Sequence, residues 1–190
     1  LIERKERWKA LVRLVIAKIM RAHRFASIFA PFCALVLAFS SSTVLGSTDR
    51  DGKELPLPRF ASLKSGEVNL RTGPGANYPI DWVLTKASMP VEIIAEFETW
   101  RRVRDVQGTE GWVHQMMLSG KRTAIVVGQP REIRRRADPT ASVVAIVEPG
   151  VIASLMECDG GWCRIDVQGK RGWLPRNAFW GAYEGEKVKN

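Results

Sequence analysis

Asp105-Val106-Gln107-Gly108 returns about sixty residues later as Asp166-Val167-Gln168-Gly169, an identical tetrad. Gly111-Trp112-Val113 returns as Gly172-Trp173-Leu174, and Leu118-Ser119-Gly120 as Phe179-Trp180-Gly181. Trp100 aligns with Trp162 once a one-residue gap is allowed. Leu70-Arg71 likewise matches Ile133-Arg134, and Val83-Leu84 matches Ile146-Val147. Self-similarity at a fixed spacing marks an internal duplication. The folding unit is therefore about 55–60 residues, near the lower limit for an independent hydrophobic core.

Each unit consists of short apolar segments divided by Gly, Pro, Asn and Asp, which predicts many small strands. Val68 and Leu70 alternate with polar neighbours and lead into Gly73-Pro74-Gly75-Ala76. That tetrapeptide fits a type II turn, because Pro sets the second φ and Gly accepts a positive third φ. Val91, Ile93, Ala95 and Phe97 alternate too, predicting a second strand with one buried face. Residues 100–106 and 111–113 supply two more, joined at Gln107-Gly108-Thr109. The fold class expected is all-β, with one unit over residues 62–121 and a divergent one over 122–181. Residues 47–61, with Gly52, Pro56 and Pro58, read as an exposed linker, and residues 182–190 as a polar tail.

The formal net charge of +9 points first to an anionic partner, but its location changes that inference. Residues 1–46 carry eight basic and two acidic side chains; the rest carry 21 basic and 18 acidic, a net of only +3. A basic stretch ending at Arg24, an apolar run over residues 25–39 and a small-residue exit at Ser40-Ser41-Ser42 have the layout of a signal peptide. The competing reading is an uncleaved membrane anchor, but spanning needs about 20 apolar residues, and this run is shorter and contains Pro31. Met20 would open a signal peptide of normal length, so residues 1–19 are either upstream sequence or a long basic leader. The expectation is an exported protein, periplasmic or extracellular, that touches the membrane only if this helical segment stays uncleaved.

Val68-Asn69-Leu70-Arg71-Thr72-Gly73-Pro74-Gly75, then Tyr78, then Trp100 before a Val-Arg-Asp strand and Gly111-Trp112-Val113, resembles the bacterial SH3-like (SH3b) domain family. The resemblance covers residues 62–120 and extends over 122–181, chiefly through the second half of the repeat. It implies two tandem small SH3-like β-barrels, each bent and built of five or six strands. It also implies an exported, non-catalytic module of the kind that in several systems binds the peptide part of cell walls. The second copy departs from the pattern, with Arg134-Arg135-Arg136-Ala137-Asp138 where the first has Arg71-Thr72-Gly73-Pro74-Gly75. Lacking Gly-Pro-Gly, that loop is expected to take a different turn.

Strand parity separates core from surface. Val103 is the better core residue, which turns Trp100 outward, and the same logic opposes Trp112 to Val113 and Trp162 to Ile165. Tyr78, Trp82, Trp100 and Trp112 are therefore the candidate ligand-binding residues, in an aromatic groove beside the turn at residues 73–75. The alternative is that these rings cover the barrel end. Arg134, Arg135 and Arg136, with Arg131 near them, form a possible anion-binding cluster or a solvated loop. Ala178 and Met117 stand where SH3 domains that bind proline-rich peptides carry a tyrosine, so proline-motif recognition is not expected.

Cys158 and Cys163, in an exported chain, suggest a disulfide rather than a metal site. A zinc site wants four ligands, and His114 is the only histidine after the leader. A bridge across Asp159-Gly160-Gly161-Trp162 would pin a hairpin and contribute about 1–3 kcal/mol. No cofactor or metal is expected. Glu96 and Glu98 read as exposed acids at a solvated edge, and a Cys–His nucleophile pair lacks a free thiol. A net +3 lacks the basic footprint of nucleic-acid binding. The reading is a binding module whose partner is cell-wall (peptidoglycan) peptide or another envelope protein. The alternatives are a membrane-tethered scaffold and an accessory part of a wall hydrolase.

Overall fold

A computed structural model describes residues 55–189 of the chain. The predicted signal segment and Met20 lie outside the described residues, as does most of the linker.

Among the described residues fifteen short strands follow one another: β1 (Arg59–Leu63), β2 (Val68–Arg71), β3 (Ile80–Leu84), β4 (Pro90–Phe97), β5 (Trp100–Arg104), β6 (Glu110–His114) and β7 (Leu118–Ser119) make the first sheet. The second holds β8 (Thr123–Val126), β9 (Arg131–Arg134), β10 (Val143–Val147), β11 (Ile152–Asp159), β12 (Trp162–Val167), β13 (Lys170–Pro175), β14 (Phe179–Trp180) and β15 (Val188–Lys189). Strand order is β3-β2-β6-β5-β4-β1-β7 in one and β10-β9-β13-β12-β11-β8-β14 in the other, with β15 added beside β11. The two orders are the same path, so the duplication read from sequence is a duplication of topology. Each sheet has more strands than the resemblance implied, because a 3₁₀ turn (Gln115–Met117 or Arg176–Ala178) is followed by a two-residue strand that pairs back onto the first.

The cores correspond as well. Leu63, Val68, Leu70, Val91, Val103 and Val113 fill the first, and Val126, Ile133, Leu155, Ile165 and Leu174 the second. Gly111 and Gly172 let facing strands close up, since a Cβ at either would lie 2.5 Å from Leu70 or Ile133.

The alternation expected along β4 fails halfway. Its pairing with β5 slips between Ile93 and Ala95, leaving Ile94 as the extra residue of a bulge. A bulge bends a strand and shifts its phase by one residue. Val91 and Ile93 point inward as expected, but beyond the bulge Glu96 is buried and Phe97 is exposed. Glu96 is therefore not a solvated acid. It pairs with Arg59 and with Arg101 Nε at 3.1 Å, and Arg101 also donates to Gln115 Oε1 at 2.7 Å.

The loops after β2 and β9 correct a second expectation. Gly75 does not have a positive φ, so no type II turn forms there. In the first copy Gly75 N donates to Gly73 O and Tyr78 N to Gly75 O; in the second Asp138 N donates to Arg136 O and Ala141 N to Asp138 O. Arg71 Nη1 donates to Tyr78 O and Arg134 Nη1 to Ala141 O, both at 2.6 Å. The path is the same with and without Gly-Pro-Gly. Gly73 is needed for space: a Cβ there would overlap the Tyr78 ring. The second copy has Ala141 in place of Tyr78, so Arg136 fits, and Asp138 closes the turn by accepting from Thr140 N and Oγ1 at 2.7 Å.

The identical tetrads, by contrast, are not superposable. Val103 pairs with Gly111 across a five-residue loop, whereas Ile165 pairs with Gly172 across the two-residue loop Gln168-Gly169. The one-residue gap thus falls inside the repeated Asp-Val-Gln-Gly stretch.

The described residues of the segments read as linker and tail take part in the fold. β1 begins at Arg59, and Phe60 is buried. Its ring meets Trp180 edge-on at 4.8 Å and Tyr183 at 4.7 Å, under the Arg122 guanidinium. Tyr183 Oη donates to Glu92 Oε1 at 2.8 Å, Thr123 Oγ1 donates to Ser88 O at 2.8 Å, and Ile152 packs on the first core. These contacts join the copies. Burial, then the Glu92 hydrogen bond, push the Tyr183 hydroxyl well above its ordinary pKa, so it is a neutral donor here.

Candidate binding groove of the first copy

Alternation along β2 puts Val68 and Leu70 in the core and turns Glu67, Asn69 and Arg71 outward in a row. On β6 the same period buries Val113 and turns Trp112 and His114 outward. Across the next strand Trp100 stands opposite His114, and Arg102 opposite Trp112. Because three neighbouring strands present the same parity, their outward side chains share one face.

Glu67, Asn69, Arg71, Trp100, His114 and Met117 line an open cavity of about 410 Å³ on that face. The Trp100 and His114 rings meet edge-on, with centroids 5.4 Å apart. His114 Nδ1 accepts from Met116 N at 3.3 Å, capping the 3₁₀ turn. With Nδ1 occupied as an acceptor, the neutral ring carries its proton on Nε2 and can donate. Arg71 spends Nη1 on Tyr78 O. The cavity therefore offers an aromatic wall, a carboxylate, an amide, a guanidinium edge and an imidazole donor.

Of the four residues singled out in the sequence, Trp100 lines this cavity and Trp112 lies beside it, half-buried and opposite Arg71. Tyr78 sits on the adjoining loop with its ring against Gly73. Trp82 belongs elsewhere. It pairs with Leu70 from the edge strand β3 and lines a separate opening of about 270 Å³, together with Met89, Asp105, Val106 and Ile125. Facing the core residue Leu70 and two residues from the buried Leu84, Trp82 has the inward phase, yet at the sheet edge it stays exposed. Glu67, Asn69 and Arg71 were legible in the sequence: they occupy the positions left over when Val68 and Leu70 are assigned to the core. His114 shares Trp112's parity and could have been found the same way.

The arginines of the second copy are held differently from one another. Arg134 is half-buried, bound to Ala141 O and paired with Glu132, while Arg135 and Arg136 are exposed on the loop. Cys158 and Cys163 face each other across β11 and β12 and are joined by a disulfide.

A family model described as "Bacterial SH3 domain" matches residues 64–120 and 128–181. The curated protein "Putative N-acetylmuramoyl-L-alanine amidase YrvJ" of Bacillus subtilis (strain 168) is 27% identical over 126 residues, covering 60% of this chain. The chain spans 24% of that relative's length. Among solved structures, NlpC2 from Trichomonas vaginalis is 14% identical with a TM-score of 0.32, over 68% of this chain and 50% of that one. A NlpC/P60 family protein from Bacillus cereus ATCC 10987 is 11% identical with a TM-score of 0.29, over 66% and 57%.

Proposed function

This chain belongs to the bacterial SH3 domain family, and on that premise we propose that it is an exported, non-catalytic module that binds the peptide part of the bacterial cell wall. The observation that carries the proposal is the groove of the first copy, where a half-exposed Trp100 stands beside His114 above an open row of polar side chains. An indole face supplies contact area for an extended ligand while neighbouring polar groups orient it. The wall-linked name of the curated relative supports the ligand class. The disulfide supports export, since such bonds persist in oxidising compartments. It also supports a non-catalytic role, because it removes both described thiols from any Cys–His pair, and His114 of the other copy caps a turn.

A pull-down on purified wall sacculi tests this, with Trp100→Ala as the paired variant. The wild-type chain is expected to sediment with sacculi at low salt, and Trp100→Ala to lose most of that binding, since losing an aromatic anchor costs about 2 kcal/mol or more. A wild-type chain left wholly in the supernatant defeats the proposal. The relative's printed name favours a second reading, in which the same groove is the targeting part of a wall hydrolase. A zymogram on wall material separates the two: clearing by this chain alone contradicts the non-catalytic role.

A further inference from the structure

The polar residues of the groove are arranged by charge. Glu67 sits at one end of the outward row and Arg71 at the other, with Asn69 between them. At about 3.3 Å per residue the two charges lie roughly 13 Å apart along the strand. Glu67 is exposed and has no ion-pair partner among the described residues. Arg71 keeps Nε and Nη2 available after binding Tyr78 O, and the His114 ring directs its donor from the neighbouring strand.

The second copy supplies the contrast. By strand equivalence, Pro130, Glu132, Pro175 and Ala178 stand where the first copy has Glu67, Asn69, His114 and Met117. Arg134, the counterpart of Arg71, is paired with Glu132. The anionic end and the imidazole are absent there, and the guanidinium is neutralised by its own strand. Only the first copy presents separated, uncommitted charges.

We infer that the first-copy groove selects a dipolar peptide three or four residues long, with its ammonium at Glu67 and its carboxylate at Arg71 and His114, and that the second copy does not share this site. An extended peptide of that length spans the separation of the two charges. Each end gains a charge-assisted hydrogen bond, stronger and more directional than a neutral one. The inference rests on the reading of this groove as the wall-peptide site, and narrows its ligand to wall peptides whose amino end is free of the glycan, since a peptide still joined to it is acylated there.

Calorimetric titration of the full chain with tetraalanine, its N-acetyl form, its C-amide and the doubly capped form tests it, alongside sacculus sedimentation. Each cap is expected to weaken binding about tenfold, with one site per chain. Glu67→Gln should abolish the difference between free and acetylated amines while keeping the preference for a free carboxylate, and Trp162→Phe should change nothing. No binding of uncapped tetraalanine, equal binding of capped and uncapped forms, or two equivalent sites overturns the inference. Sacculi bound without end discrimination would remove the inference and leave the wall-binding proposal standing. End discrimination without sacculus binding would do the reverse.

Discussion

At one cross-strand position the two copies solve the same problem with different chemistry. Glu96 faces Arg101 between β4 and β5, and Cys158 faces Cys163 at the equivalent place between β11 and β12. In the first copy a buried ion pair ties the hairpin, with Arg59 from β1 as a second cation on the same carboxylate and Gln115 reaching in from the 3₁₀ turn. In the second a covalent bond ties it, and Arg122, the counterpart of Arg59, has lost its carboxylate. Arg122 instead pairs with Glu186, Nη1 to Oε1 at 2.5 Å and Nη2 to Oε2 at 3.0 Å. The segment after β14 thus supplies the second copy's carboxylate for this arginine. Both copies thus carry a cross-strand link at the end of their longest hairpin, one ionic and one covalent.

The largest effect should come from breaking the ion pair at one partner. Glu96→Gln leaves two arginines, both mostly buried, around a neutral amide, which costs about 3–5 kcal/mol. Burial already pulls the Arg101 pKa down and Glu96 pushes it back, so removing Glu96 removes the compensation. Hydrogen exchange resolved by residue should show β4 and β5 losing protection first. If protection in β4 and β5 is unchanged, the clamp lies elsewhere.

A smaller loss is expected when Cys158 and Cys163 are both replaced by Ser. The bridge closes a short loop, with a sequence separation of 5, so it constrains the unfolded chain by only about 2 kcal/mol. Protection should fall in β11 and β12 while β4 and β5 keep theirs. Equal losses in both copies would mean that the two clamps are not independent.

The smallest effect is a pH dependence confined to the second copy. Burial would raise the Glu186 carboxyl, but hydrogen bonds from Arg122 and the Tyr183 N–H outweigh it and hold the pKa below its ordinary value of 4.5. A depressed carboxylate contributes stability that is complete above 4.5 and is lost as the pH falls through the folded-state value. Urea midpoints measured in mild acid should therefore fall more steeply for the wild-type chain than for Glu186→Gln. Parallel curves would remove Glu186 from the comparison.

Much of this was visible along the chain. The period-two alternation in Val68-Asn69-Leu70-Arg71 and in Gly111-Trp112-Val113-His114 marks both the core and the outward row that lines the groove. The disulfide followed from two cysteines in one hairpin. Three features escaped for physical reasons. A bulge shifts strand phase without any residue type announcing it, which hid the burial of Glu96 and the exposure of Phe97. Glycine is ambiguous between conformational freedom and clearance, and at Gly73 the reason is clearance for a ring five residues away. Identical tetrads were aligned by identity, whereas hairpin register depends on loop length.

The linear order of residues determined that there are two copies, that both are β, and which side chains of β2 and β6 face outward, because repetition and alternation are local properties. Which of the four aromatic candidates share a surface was decided by the packed sheets. Trp82 and Trp100 are parted by a strand edge, while Glu67 and Trp100, more than thirty residues apart in the chain, line one cavity. Proximity across strands depends on register and bend, and neither is written in any one segment.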